Sequence, residues 1–151
     1  MRLYIKRILS CLSLFAALTI SLHAYAESSK QFGDFTIHYT AFRSDTLQPE
    51  IAKTYNLTRR NNRVIINVAV IKRVAGTTGT ASSAKVEGQA SNLTGQLKQL
   101  DFREIKEGDA IYYLAEIQIS NGEFLKFDLN VTPAGKTDAA RINFDKRFFT
   151  N

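Results

Sequence analysis

Apolar and polar residues alternate along two neighbouring segments in the C-terminal third of the chain. The alternating apolar positions are Ile111, Tyr113, Ala115, Ile117 and Ile119 in the first segment, and Leu125, Phe127, Leu129 and Val131 in the second. A period of two is typical of half-buried β-strands, and the Asn121-Gly122 pair between the segments is a turn signal. Matching the two apolar faces requires a three-residue loop with Gly122 in the left-handed region, which sets Ile117 opposite Leu125. The pattern therefore predicts a β-hairpin.

Five further segments have the composition of strands. Alternation predicts strands over residues 34–42, 84–90, 97–105 and 141–149. Residues 63–72 are apolar on both faces, which predicts a central strand covered on both sides. Asn67 interrupts this strand, and we expect it to bind neighbouring backbone, with contact to a ligand as the alternative. Residues 27–31 read as a polar lead-in, and residues 74–83 as a mobile loop between strands.

A short helix of one or two turns is predicted between the first two strands. Pro49 suits the first helical turn, and Leu47, Ile51 and Tyr55 recur every four residues. We expect these three side chains to cover one end of the β structure. Asn56 is expected to end the helix in the left-handed conformation.

About seven strands and one short helix predict an all-β fold. The expected architecture is an antiparallel β-sandwich of immunoglobulin-like form, with a small closed barrel as the alternative. The Cys–Trp–Cys signature of true immunoglobulin domains is absent, since the chain has no tryptophan and one cysteine. Residues 27–151 suit one domain in length.

The first 26 residues have the composition of a secretory signal peptide. Arg2, Lys6 and Arg7 precede an apolar run over residues 8–20, and a small-x-small pattern ends at Ala26. The run is short for a membrane span, which needs roughly 20 apolar residues. We therefore predict cleavage after Ala26, a periplasmic location and no membrane span in the mature protein.

Cleavage changes both the charge and the cysteine content. The formal net charge of the full chain is +6, but three of its 20 basic residues and none of its 14 acidic residues precede residue 27, leaving +3. That balance gives little support for binding nucleic acid. Cys11 lies in the predicted signal peptide, so the mature chain has neither a disulfide nor a thiol nucleophile.

Six blocks of the sequence resemble one bacterial family. They are IHYTAF (37–42), LQPEIAKTY (47–55), NRVIINVAVIK (62–72), NLTGQL (92–97), REIKEGDAIYYLAEI (103–117) and NGEFLKFDLNV (121–131). On these blocks, essentially the whole mature chain resembles the exported family catalogued as domain of unknown function 4426 (DUF4426). The resemblance implies a periplasmic protein of a Gram-negative bacterium. It implies no activity and no catalytic residues.

Residues suited to catalysis are few. His38 is the one histidine after the predicted cleavage site, and a triad around it would need a serine such as Ser44, Ser82 or Ser83. No Gly-x-Ser-x-Gly nucleophile pattern is present. One histidine and no cysteine exclude typical zinc sites, and the acids of residues 104–109 match no calcium loop. We therefore predict a protein that is not an enzyme and needs no metal or cofactor.

Two surface features are candidate binding sites. Arg59, Arg60 and Arg63 form the densest positive cluster, suited to phosphate, lipid headgroups or an acidic partner. Four aromatic residues lie on faces opposite the core stripes and would form a patch if they gathered on one exposed sheet face: Phe42, Tyr112, Phe124 and Phe149.

The sequence thus predicts a non-catalytic interaction or binding module of the periplasm. Its expected partner is another envelope protein or envelope component. The candidate binding residues are Arg59, Arg60, Arg63, His38 and Tyr112. Two alternatives are a small hydrolase that uses His38 and a lipid- or phosphate-binding carrier that uses the arginine cluster.

Overall fold

The computed structural model describes residues 28–150, most of which form antiparallel β-strands. The strands are β1 (Ser28–Phe32), β2 (Phe35–Arg43), β3 (Arg63–Lys72), β4 (Thr80–Ala81), β5 (Ala84–Asn92), β6 (Leu97–Gln99), β7 (Arg103–Glu107), β8 (Ala110–Gln118), β9 (Glu123–Pro133) and β10 (Ala140–Phe148). A 3-10 turn (Ser44–Thr46) and one α-helix, α1 (Pro49–Thr54), follow β2. The predicted signal peptide, its cleavage site after Ala26 and Cys11 lie outside the described residues.

The strands form two sheets that pack face to face. The first sheet has the order β1-β2-β3-β8-β7, with β4 also paired to β3, and the second has the order β10-β9-β5-β6. All pairs are antiparallel. This arrangement confirms the predicted all-β sandwich, built from ten strands rather than about seven.

The two alternating segments of the C-terminal third are strands, but they do not form the predicted hairpin. β8 pairs with β3 and β7, whereas β9 pairs with β5 and β10. The placement of Ile117 opposite Leu125 was therefore wrong, because these strands belong to different sheets. A period of two determines which face of a strand is buried but not which strand lies beside it. Gly122 does adopt the predicted left-handed conformation, with φ of 71°, in a turn where the Glu123 N–H donates to the Ser120 carbonyl at 3.2 Å.

Three other segments differ from the sequence predictions. The polar lead-in forms β1, an exposed edge strand paired with β2, and it has no apolar face that could give a periodic signal. The predicted loop at residues 74–83 contains β4, which pairs with β3. The single strand predicted at residues 97–105 is divided into β6 and β7, since the chain changes sheet at residues 100–102. Leu100 is buried at this crossing.

The core lies between β3 and β9. The inward positions of these strands are fully buried: Val64, Ile66, Val68 and Val70 of β3, and Leu125, Leu129 and Val131 of β9. Phe127 stacks on Phe144 with ring centroids 4.6 Å apart, and Tyr39 approaches Phe144 at 5.1 Å. Each fully buried aliphatic side chain contributes about 1.5–3 kcal/mol, which stabilises a domain without disulfides.

Helix α1 lies on the outer face of the first sheet rather than at the end of the sandwich. Pro49 occupies the first turn and Asn56 follows the helix with φ of 49°, as predicted. Ile51 is 40% exposed, however, and Ala52 is buried against Ile65. A small side chain lets the short helix approach the sheet closely, so Ala52 and not Ile51 makes the contact. Among residues 28–150, no helix is long and apolar enough to span a lipid bilayer.

Candidate functional site

The outer face of the first sheet is only partly covered. Ala52 and Leu57 pack on Ile65 and Leu114 and bury that part of the face. The part towards β1 and β2 carries half-buried side chains. We call this partly exposed region the open half-face and define it by His38, Thr40, Asn67 and Ala69, with Tyr112 of β8 at its border with the covered cluster of Ala52, Leu57, Ile65 and Leu114.

Strand register places His38 and Tyr112 on either side of Ala69. His38 pairs with Ala69, and Tyr112 lies level with Ala69, one residue beyond the Val68–Tyr113 pair. Two strand spacings of about 4.8 Å separate His38 from Tyr112, so their Cα atoms are roughly 10 Å apart. The small side chain of Ala69 therefore lies between the strand positions of two larger aromatic residues, His38 and Tyr112.

Asn67 lies in the next row of the same face, where it pairs with Thr40 on β2 and Leu114 on β8. Its Oδ1 atom is buried and has no hydrogen-bond partner among the described residues. The expected bond to neighbouring backbone is therefore missing at this atom. A buried acceptor without a donor costs about 1–3 kcal/mol, which marks Asn67 as a candidate ligand contact.

An acidic group lies where α1 meets this face. Tyr55 and Tyr112 both pack against the cluster that α1 and Leu57 form with Ile65 and Leu114. A hydrogen bond with Glu107 raises the pKa of Tyr55 above its usual value. The side of the open half-face near Tyr112 is therefore bordered by a carboxylate.

The serines considered for a catalytic triad are not placed beside His38. Ser44 is fully buried, donates to the Arg60 carbonyl at 3.0 Å and accepts from the Arg60 N–H at 3.0 Å. The Ser82 N–H donates to the Val70 carbonyl, on the far side of β3 from β2. Ser29 of β1 is the serine that pairs directly with His38.

The three arginines of the basic cluster have separate roles. The Arg59 guanidinium donates to the carbonyls of Leu47 and Asp45 at 2.7 and 2.9 Å, which ties the segment after β2 to the segment before β3. Arg60 is exposed, and Arg63 lies 4.0 Å from Glu116. The cluster occupies one end of the sandwich as expected, but the three guanidinium groups do not converge on one point.

Glu104 of β7 takes part in a contact between the two sheets at the edge of the sandwich. Tyr113 donates to Glu104 at 2.7 Å and accepts from the Ala84 N–H at 2.7 Å, which links the two sheets. The hydrogen bond from Tyr113 lowers the pKa of Glu104, while burial raises the pKa of Tyr113. Within residues 28–150, no three His, Cys, Asp or Glu residues form a group that could hold a metal ion.

A depression also lies on the second sheet. It has a volume of about 350 Å³ and is lined mainly by polar outward side chains such as Gln89, Lys126 and Asp128. Arg141 neutralises Asp128 at 2.5 Å, and this contact lowers the pKa of Asp128. None of the predicted binding residues lines it. We therefore place the candidate site on the open half-face.

The sequence indicated His38 and Tyr112, and alternation along one strand puts His38 and Thr40 on one face, but it did not indicate that these residues lie beside Ala69. Ala69 and Thr40 carry no chemical signal of their own. Their role follows from register, which brings separate strands together. The polar interruption at Asn67 was a further sequence signal that pointed to this face.

A family model described as Domain of unknown function (DUF4426) matches residues 29–151. The chain belongs to the DUF4426 family. A crystal structure of a DUF4426 protein from Pseudomonas aeruginosa PAO1 is 36% identical, with a TM-score of 0.70 over 83% of this chain and 96% of that one. The resemblance seen in the sequence blocks is therefore confirmed. Comparison with curated proteins finds no match.

The DUF4426 fold also resembles that of a more distant protein. FetP of uropathogenic Escherichia coli strain F11, produced recombinantly in the periplasm of E. coli BL21(DE3), is 10% identical, with a TM-score of 0.57 over 82% of this chain and 93% of that one. A copper-bound variant of FetP with a single glutamate-to-glutamine change gives a TM-score of 0.54, also at 10% identity, over 82% of this chain and 90% of that one. At this identity the likeness concerns the fold alone.

Proposed function

We propose that this DUF4426 protein is an exported, non-catalytic binding module of the cell envelope, and that it binds another envelope protein on the open half-face. The observation that carries the proposal is the buried Oδ1 atom of Asn67, which has no hydrogen-bond partner among the described residues. A bound N–H or O–H group would supply the missing donor.

The surroundings of Asn67 favour a protein segment as the ligand. Ala69 is half-buried, and strand register places His38 and Tyr112 on either side of it. Rotation of the Asn67 side chain would bring its buried Oδ1 atom to a backbone N–H of the partner, while an apolar side chain lies on Ala69. The face is carried by paired strands rather than by loops, so little conformational entropy is lost on binding.

The signal-peptide pattern of residues 1–26 and the periplasmic production of FetP support an envelope location. Copper binding is not part of the proposal, because among residues 28–150 no His, Cys, Asp and Glu residues form a group of three suited to a metal. Catalysis is left out because Ser44 is buried and bound to backbone. A His38→Ala variant is expected to keep its fold.

In-cell photocrosslinking tests the proposal. A photoreactive residue replaces Tyr112 in one variant and Asn130, an exposed position on the opposite sheet, in a matched control. We expect one discrete protein adduct at position 112 and none at 130. The adduct should disappear when Ala69→Arg places a long side chain on this face. Equal adducts at both positions, or an adduct at 112 that survives Ala69→Arg, would refute the assignment.

A further inference from the structure

An apolar stripe is exposed at the end of the sandwich that carries the β8–β9 turn. Leu97, Leu93 and Phe149 are 62%, 69% and 54% exposed, and Phe124 is half-exposed. Leu93 follows the end of β5, Phe124 is the second residue of β9, and Phe149 follows β10. Register places these strand ends side by side, since Asn92 pairs with the residue after Phe124.

Contacts make the stripe continuous. Leu93 and Phe124 line one shallow cavity of about 200 Å³ together with Gly122. A Cβ atom on Gly122 would lie 4.0 Å from the Phe149 ring. Arg147 pairs with Phe124, holds its guanidinium 5.6 Å from the ring centroid and donates to the Gly122 carbonyl at 2.9 Å. Phenylalanine rings and a cation are thus combined on one surface.

Positive charge is in excess around this stripe. The acids at this end are Asp45, Glu116 and Glu123, and they lie 3.1, 4.0 and 3.0 Å from Arg43, Arg63 and Lys98, respectively. Each of these acids is therefore balanced by a basic neighbour. Arg59, Arg60 and Arg147 are exposed in addition, so the end carries a net positive charge. We call the stripe and these basic residues the basic end.

The exposed ring of Phe149 is held in place by backbone contacts. Arg43 donates to the Phe149 carbonyl at 2.6 Å, and the Thr150 N–H donates to Asn121 Oδ1 at 3.0 Å. Asn61 also donates to the Thr150 carbonyl. These bonds fix the backbone while the ring points outward, so the ring needs little ordering on binding.

We propose that the basic end docks on an anionic lipid surface. The side chains of Leu93, Phe124 and Phe149 would enter the headgroup region, while the arginines bind lipid phosphates. Four apolar side chains on turns and strand ends expose a few hundred Å² at most, which is less than the roughly 600–800 Å² that each partner of a specific protein complex buries. An interface with lipid has no such minimum area. The basic end shares no residue with the open half-face, so the two proposals can fail separately.

Vesicle sedimentation tests this proposal. The protein, as processed by the exporting cell, is mixed with vesicles of phosphatidylcholine alone or with about 30% phosphatidylglycerol, at low and physiological salt. We expect binding only to the anionic vesicles and weaker binding in salt. Arg59→Gln with Arg60→Gln should weaken binding by roughly fivefold per arginine, since a basic residue near an anionic surface contributes about 1 kcal/mol.

A second variant and a control separate lipid binding from folding. The double variant Leu93→Ser with Phe149→Ser keeps every charge, and it also keeps the bonds from Arg147 to the Gly122 carbonyl and from Arg43 to the carbonyl of residue 149. It should also reduce binding to the anionic vesicles. Lys72→Gln with Lys136→Gln removes the same charge at the opposite end and should leave binding unchanged. No binding to anionic vesicles, equal binding to neutral ones, or equal loss in the control would overturn the proposal. A photoreactive residue at position 149 that crosslinks to an acidic protein in cells, in a protein that does not bind vesicles, would also overturn the proposal.

Discussion

Replacing Asn67 with leucine separates a structural role of this residue from a binding role. Its buried Oδ1 atom has no donor among the described residues, and a buried acceptor in that state costs about 1–3 kcal/mol. Leucine removes this cost and places apolar atoms beside Leu114, its register partner. Since the Asn67 side chain is not fully buried, we expect Asn67→Leu to raise the free energy of unfolding by roughly 1–2 kcal/mol. Binding of the proposed envelope partner should weaken in the same variant.

The measurement is urea unfolding followed by circular dichroism, because the chain has no tryptophan to report by fluorescence. Asn130→Leu is the matched control, since Asn130 also lies in a strand with neighbours on both sides but is exposed. The control should change stability by no more than about 0.5 kcal/mol. The difference between the two variants isolates the buried oxygen from the general preference of strands for leucine.

Two results would refute the reasoning. A loss of more than about 1 kcal/mol in Asn67→Leu would mean that the amide makes a bond that supports the fold. An equal gain in both variants would mean that burial of the oxygen contributes nothing. A gain in stability with loss of partner binding is the pattern of a residue kept for function.

Three other substitutions test the packing, the electrostatics and the sheet edge. Burial raises the pKa of Glu123, but hydrogen bonds from three neighbours, Lys98 among them, outweigh burial and hold that pKa below 4.5. Glu123→Gln should therefore lower the free energy of unfolding by about 1–2 kcal/mol at neutral pH. This difference from the wild type should vanish as the pH falls from 4.5 through the lower pKa of the folded state, because the wild-type carboxylate is then protonated. Urea unfolding at a series of pH values measures it. Gly88→Ala should lower stability by about 1–3 kcal/mol in urea unfolding, since its Cβ would lie 2.6 Å from Leu129 Cδ2 and equally close to backbone. Lys146 points inward on edge strand β10 and donates to a β2 carbonyl at 2.8 Å, so Lys146→Val should cause concentration-dependent self-association, measured by light scattering.

Each of these substitutions has a control on the same chain. Glu87→Gln removes an acid from an exposed ion pair and should cost little at any pH. Gly108→Ala places a Cβ in open space and should cost only the left-handed penalty of about 1 kcal/mol. Lys126 lies on β9, which is paired on both sides, so Lys126→Val should cause no additional self-association if Lys146 protects the edge of β10. A control that matches its test variant would contradict the reason given for that variant.

The candidate site was partly visible in the sequence. His38 and Tyr112 were named from their chemistry, and Asn67 from its polarity within an apolar strand. The open half-face, however, is formed by β2, β3 and β8, which are separated by long stretches of chain. Residue type indicates what a side chain can do, whereas register decides which side chains act together.

Some features of the fold were likewise predictable from local sequence, and others depend on contacts between distant segments. Local patterns were sufficient for the strands that alternate clearly and for their buried faces, because this signal depends on neighbours within a few residues. The same holds for the helix start at Pro49 and for the left-handed residues Asn56 and Gly122. Strand pairing depends on residues far apart, so β8 and β9 looked like a hairpin although they belong to different sheets. Edge strand β1 gave no signal, because its pairing rests on backbone bonds and it has no buried face. The sequence by itself determined the buried faces of the alternating strands, because that periodicity is local, and only the tertiary structure decided which exposed side chains meet.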